Sequence, residues 1–374
     1  MCDPEETGLM AQTDLIFTET ERLHEFFQSL GALSVEPNLL QPADLLLDLY
    51  GEDIRARAYL TSDPLRGDLM LRPDYTVPVL QNHMQAGAIA ASYTYAGKVF
   101  RKQETDIDRA NEYIQVGYEI FGARDPAQAD ADVFCAMWQA LDGVPLRVQT
   151  GDISVLMAAV GGLRTTDERK AALLRHIWRP QRFMFLLERY AGISPDPESR
   201  RQLLSIKNPL AHSKHNIGLR STVEIEDRIT RLRRDCQVAP ISKTELDLLT
   251  GITQLNETYP NTLTRLRDFA VDFPGISVAI VRLEKRLEEI EKRSINTSAL
   301  MFEASYGRTS MEYYDGFVFG FYDDSDKDLS LIATGGRYDA LTCRLGNGSL
   351  LPAVGGVVRP DLLVKARGQA CPLN

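Results

Sequence analysis

Four polar segments combine charged, hydroxyl and glycine residues in ways that could hold a small polar molecule. They are Leu71-Arg-Pro-Asp-Tyr-Thr76, Phe100-Arg101 with its loop and Asn111–Glu119, Glu312-Tyr-Tyr-Asp-Gly316, and Gly335-Gly-Arg-Tyr-Asp339. Side chains of a strand repeat every second residue, so Gln115, Gly117 and Glu119 share one face of the stretch Tyr113–Phe121. Ile114, Val116, Tyr118 and Ile120 take the other. A Gln and a Glu flanking a glycine form a polar floor with space above the glycine, which suits a small ligand bearing amines. A strand side facing solvent gives the same pattern, and these residues alone leave both readings open. Arg101 follows a strand directly, and its guanidinium fork matches carboxylate or phosphate. Gly335-Gly336 reads as a tight turn with positive φ. No Gly-Lys-Ser/Thr follows, which excludes a phosphate-cradling P-loop. His212 and His215 lie three apart without a second ligand pair, so they read as ordinary surface histidines rather than a zinc site, and no metal is expected.

These segments need a sheet to converge on one place. Tyr93–Phe100 and Tyr113–Phe121 alternate and carry aromatic or β-branched residues, so they are expected to be antiparallel strands around the loop Arg101–Asn111. A helix is expected over Asp14–Leu30, where Leu23, Phe26, Phe27 and Leu30 make an apolar stripe. Asp125-Pro126 has the chemistry of an N-cap and first turn; Val133, Phe134, Met137, Trp138 and Leu141 form the buried face of the helix that follows. A strand is expected at Leu146–Thr150. From about Asp152 to Arg293 the pattern is mostly helical, ending in a charged stretch with Glu288/Lys292 and Glu289/Arg293 pairs. Strands resume at Ala299–Tyr306, Tyr313–Tyr322 and Leu329–Thr334, with a helix near Arg367. The expected fold is α+β: an antiparallel sheet with flanking helices, its strands drawn from about 60–150 and 299–367, interrupted by a helical insertion over about 152–293.

Bulk properties narrow the function. The chain has 374 residues, 44% hydrophobic and 25% charged, with a net charge of −10. That composition belongs to a folded protein, and the acidity argues against broad nucleic-acid binding. The acidic start Met1–Glu6 has no apolar core of a secretory signal, and no apolar run is long enough for a membrane span. Five dispersed cysteines without a Cys-x-x-Cys pair suggest reduced thiols. The expected location is cytoplasmic. Gly161–Asp235 is locally basic, with sixteen Lys/Arg against nine Asp/Glu; it reads as a solvated helical insert or as a docking face for an acidic partner.

Taken together and in order, the four segments resemble the class II aminoacyl-tRNA synthetases, specifically the histidyl enzymes. The resemblance spans roughly Asp14 to Arg367. It implies a class II synthetase-like core and a histidine pocket built from Asp74 and Thr76 near the ligand's amino group, Arg101 near its carboxylate, Gln115 and Glu119 on the floor, and Tyr313, Tyr314 and Tyr338 near the imidazole. Three departures stand out. Gln103 replaces the glutamate of the family's Phe-Arg-x-Glu. Thr309 stands at the position of the histidine-specific arginine, with Arg308 one residue off. Asp361 stands where the last motif ends in the ATP-stacking arginine, with Arg359 two residues before it. Loss of one positioned cation at a developing charge costs ~2.7–4 kcal/mol. The chain also stops soon after that motif, where the family continues into an anticodon-binding domain.

A kept pocket and altered ATP residues resemble the synthetase-like regulatory subunits of ATP phosphoribosyltransferase. That resemblance implies no catalytic residues or cofactor of its own, and L-histidine as ligand. It implies a short-form catalytic subunit as partner in the first step of histidine biosynthesis, with feedback inhibition by histidine. It further implies a homodimer, through a segment at Pro42–Tyr50, within a hetero-octamer-like assembly, and no tRNA. The alternative is a trimmed synthetase-like enzyme that activates an amino acid with ATP.

Overall fold

The computed structural model describes residues 4–44, 57–87, 89–103, 110–211, 218–308, 313–346 and 348–370. Helix α1 (Pro4–Ser29) leads into β1 (Leu33–Ser34) and β2 (Leu40–Pro42). Strands β3 (Leu60–Asp63) and β4 (Gly67–Leu71) form a hairpin that pairs with β2 as a three-stranded sheet. Then come α2 (Thr76–Ala86), β5 (Ala91–Phe100), β6 (Glu112–Phe121), α3 (Pro126–Ala140) and β7 (Leu146–Asp152). Six helices follow: α4 (Ile153–Gly162), α5 (Asp167–Arg175), α6 (Pro180–Tyr190), α7 (Glu198–Ser205), α8 (Thr222–Asp235) and α9 (Lys243–Thr253). Strand β8 (Asn256–Thr258) precedes α10 (Tyr259–Asp272) and α11 (Ser277–Glu291). The chain closes with β9 (Met301–Glu303), β10 (Phe317–Asp323), β11 (Leu331–Arg337), α12 (Asp339–Leu345), β12 (Ala353–Val358) and α13 (Pro360–Ala370).

The main sheet has nine strands in the order β1-β5-β6-β12-β11-β10-β7-β9-β8. Only β1/β5 and β7/β9 run parallel. The expected α+β architecture on an antiparallel sheet is therefore what forms, and β12, β11 and β10 insert between β6 and β7 to complete it. Helices cover one face. Phe317, Phe319 and Phe321 alternate along β10 and all meet Phe134 of α3, at 5.9, 5.4 and 5.3 Å between ring centroids. Phe27 of α1 stacks on Tyr118 of β6, with rings 5.4 Å apart. Each such pair adds ~0.5–1.5 kcal/mol beyond area burial. Asp125 caps α3 as its sequence implies, accepting from the backbone of Ala127 and Gln128.

Several expected boundaries shift for local reasons. Strand β10 begins at Phe317 rather than Tyr313, because Asp315 turns away to accept the backbone N–H groups of Asp339 and Ala340 at the start of α12. Only Met301–Glu303 of the stretch Ala299–Tyr306 is strand; the chain then turns, with Tyr306 N donating to Glu303 O. Gly335 and Gly336 are not a turn. They lie inside β11, opposite Gly356 and Gly355 of β12. The region 152–293 also contains β8, which extends the main sheet through β9. Lys292 pairs with Glu289 at 2.6 Å instead of Glu288, sharing it with Arg293. Residues 45–50 of the Pro42–Tyr50 segment, and His212 and His215, lie outside the described residues. Among the described residues no helix is long and apolar enough to cross a membrane, and no acidic, His or Cys cluster could hold a metal ion.

A buried ionic network anchors α11 to the sheet and to α3. Arg286 reaches Asp152 at 2.5 Å and Asp130 at 3.2 Å, and Arg337 of β11 reaches Asp130 at 2.7 Å. Asp152 also caps α4, accepting from Ser154 N. Removing one partner of a buried pair strands the other charge, at ~3–5 kcal/mol. Arg286→Ala should lower stability by that order, read as a reduced urea midpoint. An unchanged midpoint would show that the network carries no net stability.

Candidate functional site

On the sheet face away from α1 and α3 lies one small, tight cavity of about 10 Å³, roughly the room of a single water and far below the ~300–1,000 Å³ usual for small-molecule sites. All eight residues expected to bind ligand line it: Asp74, Thr76, Arg101, Gln115, Glu119, Tyr313, Tyr314 and Tyr338, joined by Gly355, Gly356 and Val357. They come from the start of α2, the end of β5, β6, the segment before β10, the β11–α12 junction and β12. Gln115 and Glu119 of β6 are buried, at 4% and 1% exposure, which removes the solvent-facing reading of that strand side.

Glu119 sits at the bottom. Thr76 Oγ1 and Tyr95 OH donate to its Oε1 at 3.1 and 2.9 Å, and Tyr338 OH donates to Oε2 at 2.5 Å. Burial pushes its carboxyl up to about 7, against the opposing pull of those three hydroxyls. The same burial holds the Tyr95 and Tyr338 hydroxyls far above their ordinary range, so both stay protonated donors. The floor is dense rather than open at Gly117. Tyr95 pairs with Gly117 across β5/β6, and its ring occupies the place a Cβ there would take, 2.1 Å away. Gly355 is required more directly, because a Cβ on it would stand 1.4 Å from Glu119 Oε2.

Asp74 and Thr76 enter at the N-terminal end of α2, where a carboxylate is favoured by the helix dipole. Arg101 donates from Nε to Pro73 O at 2.7 Å and brings Nη2 to 3.9 Å from Asp74. A cation and an anion are thus held side by side at the wall. Gln115 Oε1 is buried with no hydrogen-bond partner among the described residues. A buried acceptor left unpaired is costly, and a donor from a ligand would satisfy it. Tyr313, Tyr314 and Tyr338 form an aromatic wall, with Tyr313 edge-on to Tyr338 at 5.9 Å. The arrangement offers a cation, two carboxyls, a free amide oxygen and aromatic faces. It matches a small zwitterion carrying a flat polar ring.

Residue-by-residue reading missed Tyr95, Arg72 and Trp178. Tyr95 stacks on Tyr75 at 4.2 Å, and Arg72 lies 3.8 Å over the Tyr75 ring while donating to Lys98 O and Glu36. Trp178 Nε1 donates to Tyr314 O at 3.1 Å. The parity of Tyr95 with Gly97 on β5 was the only local signal for it, and Trp178 had none. Neither displaced arginine lines the cavity. Arg308 is 2% exposed and donates to Ile177 O at 2.6 Å. Arg359 lies 3.8 Å over the Tyr113 ring and pairs with Asp361 at 2.5 Å. Gln103 Nε2 is spent on Ala110 O at 3.1 Å. Thr309 lies outside the described residues.

Known proteins resemble this chain along most of its length. The family described as Histidyl-tRNA synthetase matches residues 8–207 and 219–363. Proteins named ATP phosphoribosyltransferase regulatory subunit from Brucella canis and Brucella suis are 30% identical over 355 residues, covering 90% of this chain and 93% of theirs. Among solved structures, an ATP phosphoribosyltransferase regulatory subunit/histidyl-tRNA synthetase from Bacillus halodurans superposes with a TM-score of 0.66 at 20% identity, covering 95% of this chain and 79% of that one. A histidyl-tRNA synthetase from Nostoc sp. superposes with a TM-score of 0.62 at 14% identity, covering 97% and 74%. At these identities the structural likeness establishes the fold, which is the class II synthetase-like architecture expected.

The raised Glu119 pKa has a signed consequence. Between about 4.5, its ordinary value, and about 7 the folded chain keeps a proton that the unfolded chain has lost. The associated stability is present below that window and falls as pH rises through it. Urea midpoints at pH 5 and pH 8 should drop more for the wild type than for Glu119→Gln, which has no proton to lose. Equal drops would mean that Glu119 is already ionised at pH 5.

Proposed function

The chain belongs to the histidyl-tRNA synthetase-like regulatory subunits of ATP phosphoribosyltransferase, and from that premise we propose that it binds free L-histidine and transmits its level to a catalytic partner. The observation that carries this reading is the convergence of Arg101, Asp74, Gln115, Glu119 and three tyrosines on one small cavity. Arg101 takes the carboxylate through its fork. Asp74, Thr76 and the free Gln115 oxygen take the ammonium. The imidazole lies among Tyr313, Tyr314 and Tyr338, and one ring nitrogen meets Glu119.

The partner in this proposal is a short-form ATP phosphoribosyltransferase catalytic subunit. It is active only in complex with this chain, in the first step of histidine biosynthesis in the cytoplasm. The complex is a homodimer of this chain within a hetero-octamer-like assembly, and it engages no tRNA. The Arg359–Asp361 pair supports a role without ATP chemistry, since the guanidinium nearest the lost motif is neutralised by its own neighbour and lies on Tyr113. Feedback inhibition then requires only that histidine favour the less active assembly, by the ~1–3 kcal/mol common for coupled sites.

Calorimetric titration of histidine into the purified chain should show binding, and Gly355→Ala should abolish it, because the added methyl overlaps Glu119 Oε2. Mixing the chain with a short-form catalytic subunit should produce phosphoribosyltransferase activity that falls as histidine is added. Histidine-dependent ATP–pyrophosphate exchange at synthetase rates would overturn the reading and make the chain an amino-acid-activating enzyme.

A further inference from the structure

The turn between α5 and α6, residues 176–179, touches the cavity wall from behind. Trp178 Nε1 donates to the carbonyl of Tyr314, a lining residue, at 3.1 Å. Ile177 O accepts from Arg308 Nε at 2.6 Å, and Arg308 belongs to the chain segment that leads toward the site tyrosines. One hydrogen bond therefore joins the insertion to the cavity wall at Tyr314, and a second holds Arg308, which does not line the cavity.

This attachment is not fully satisfied. Arg308 Nη2 and His176 Nδ1 are both buried without a hydrogen-bond partner among the described residues. Arg308 is 2% exposed and packs 5.2 Å over the Phe183 ring of α6. Buried polar atoms left unpaired disfavour the arrangement that strands them. A shifted turn that pairs them would regain that cost.

The outer side of the same turn is cationic. Arg175, Arg179 and Arg182 are exposed around His176, whose pKa is lowered first by burial and then by these three charges. Arg175 and Arg182 make no ion pair with any described residue. Arg182 lies 6.0 Å over Phe185, an aromatic left 45% exposed. In a chain of net charge −10, a concentrated cationic patch with an exposed ring is unusual and complements an acidic surface.

We propose that the Arg175–Arg182 patch docks an acidic surface of the catalytic partner and that Trp178 couples that contact to the occupancy of the histidine cavity. The proposal rests on the regulatory reading above and adds its contact face and its route. Trp178 is a positioning residue, since it acts through the Tyr314 backbone. Histidine between the tyrosines moves that backbone, the turn follows, and the orientation of the arginines changes.

The test uses the full-length chain, a short-form phosphoribosyltransferase subunit and two variants. Arg175→Glu/Arg182→Glu changes only exposed side chains. It should bind histidine as the wild type does while weakening the complex by about tenfold or more, because like charge now faces the acidic partner. Trp178→Phe keeps an aromatic ring, smaller than the indole, and loses the donor. It should keep complex affinity but lose most of the histidine inhibition, whose coupling factor falls toward one from the ~5–150-fold typical of allosteric pairs. An unchanged complex with the double variant overturns the docking face, and so does a double variant that alters only self-association. Full histidine inhibition in Trp178→Phe overturns the route. If the wild type itself neither binds histidine nor activates the subunit, the underlying reading fails and the proposal falls with it.

Discussion

A carboxyl group at the centre of a dry β-sheet must be hydrogen-bonded or discharged, and Glu119 is placed where both happen. Its three hydroxyl donors come from α2, β5 and the β11–α12 junction, which are far apart in sequence. Satisfying this one group therefore fixes the relative position of the three walls of the cavity. The glycines of β12 follow from the same demand, since Gly355 is opposite Glu119 in the ladder and any side chain there would occupy the carboxyl's space. The cost of burial appears as a pKa near neutrality, which leaves the site electrically adjustable where most carboxylates are permanently charged.

A second buried cluster is held by opposite means. There Asp130 and Asp152 are compensated by two buried arginines, Arg286 and Arg337, instead of hydroxyls. Arg286 belongs to the last helix of the insertion and Arg337 to the strand that ends beside Tyr338. The insertion is tied to the core at several places, among them the ion pairs of α11, the β8/β9 ladder, and at the α5–α6 turn one bond from Trp178 and one from the Arg308 guanidinium. Arg286 gives both Nη atoms to Asp152, and the α11 tie and the turn each keep a buried nitrogen without a hydrogen-bond partner among the described residues, Nε of Arg286 in one and Nη2 of Arg308 in the other.

The ATP-side departures fall into one physical pattern. A free guanidinium beside an aromatic ring is what a nucleotide base would use, and here Arg359 is already over Tyr113 and neutralised by Asp361. Arg308 is likewise occupied, by Ile177 O and the Phe183 ring. Arg308 and Arg359 are thus held by partners within the fold, while Arg101 lines the cavity.

The sequence alone determined the strands around the site and the pocket's chemistry. Alternation in Tyr113–Phe121 set which side chains share a face, and the Asp125-Pro126 pair set the start of α3; these are local properties, written in residue spacing and in side-chain type. The eight expected site residues, out of eleven that line the cavity, came from the resemblance of the ordered motifs to the histidyl enzymes. What lay beyond it was decided by contacts between distant segments. Gly335-Gly336 has the composition of a turn, yet extends as strand because Gly355-Gly356 lies opposite and leaves no room for side chains. The space expected above Gly117 is filled by Tyr95, brought there by the β5/β6 register. Strand β10 starts late, at Phe317, because Asp315 before it caps the start of α12. Trp178 joins the site through a backbone carbonyl, and a backbone acceptor has no signature in sequence because every residue carries one.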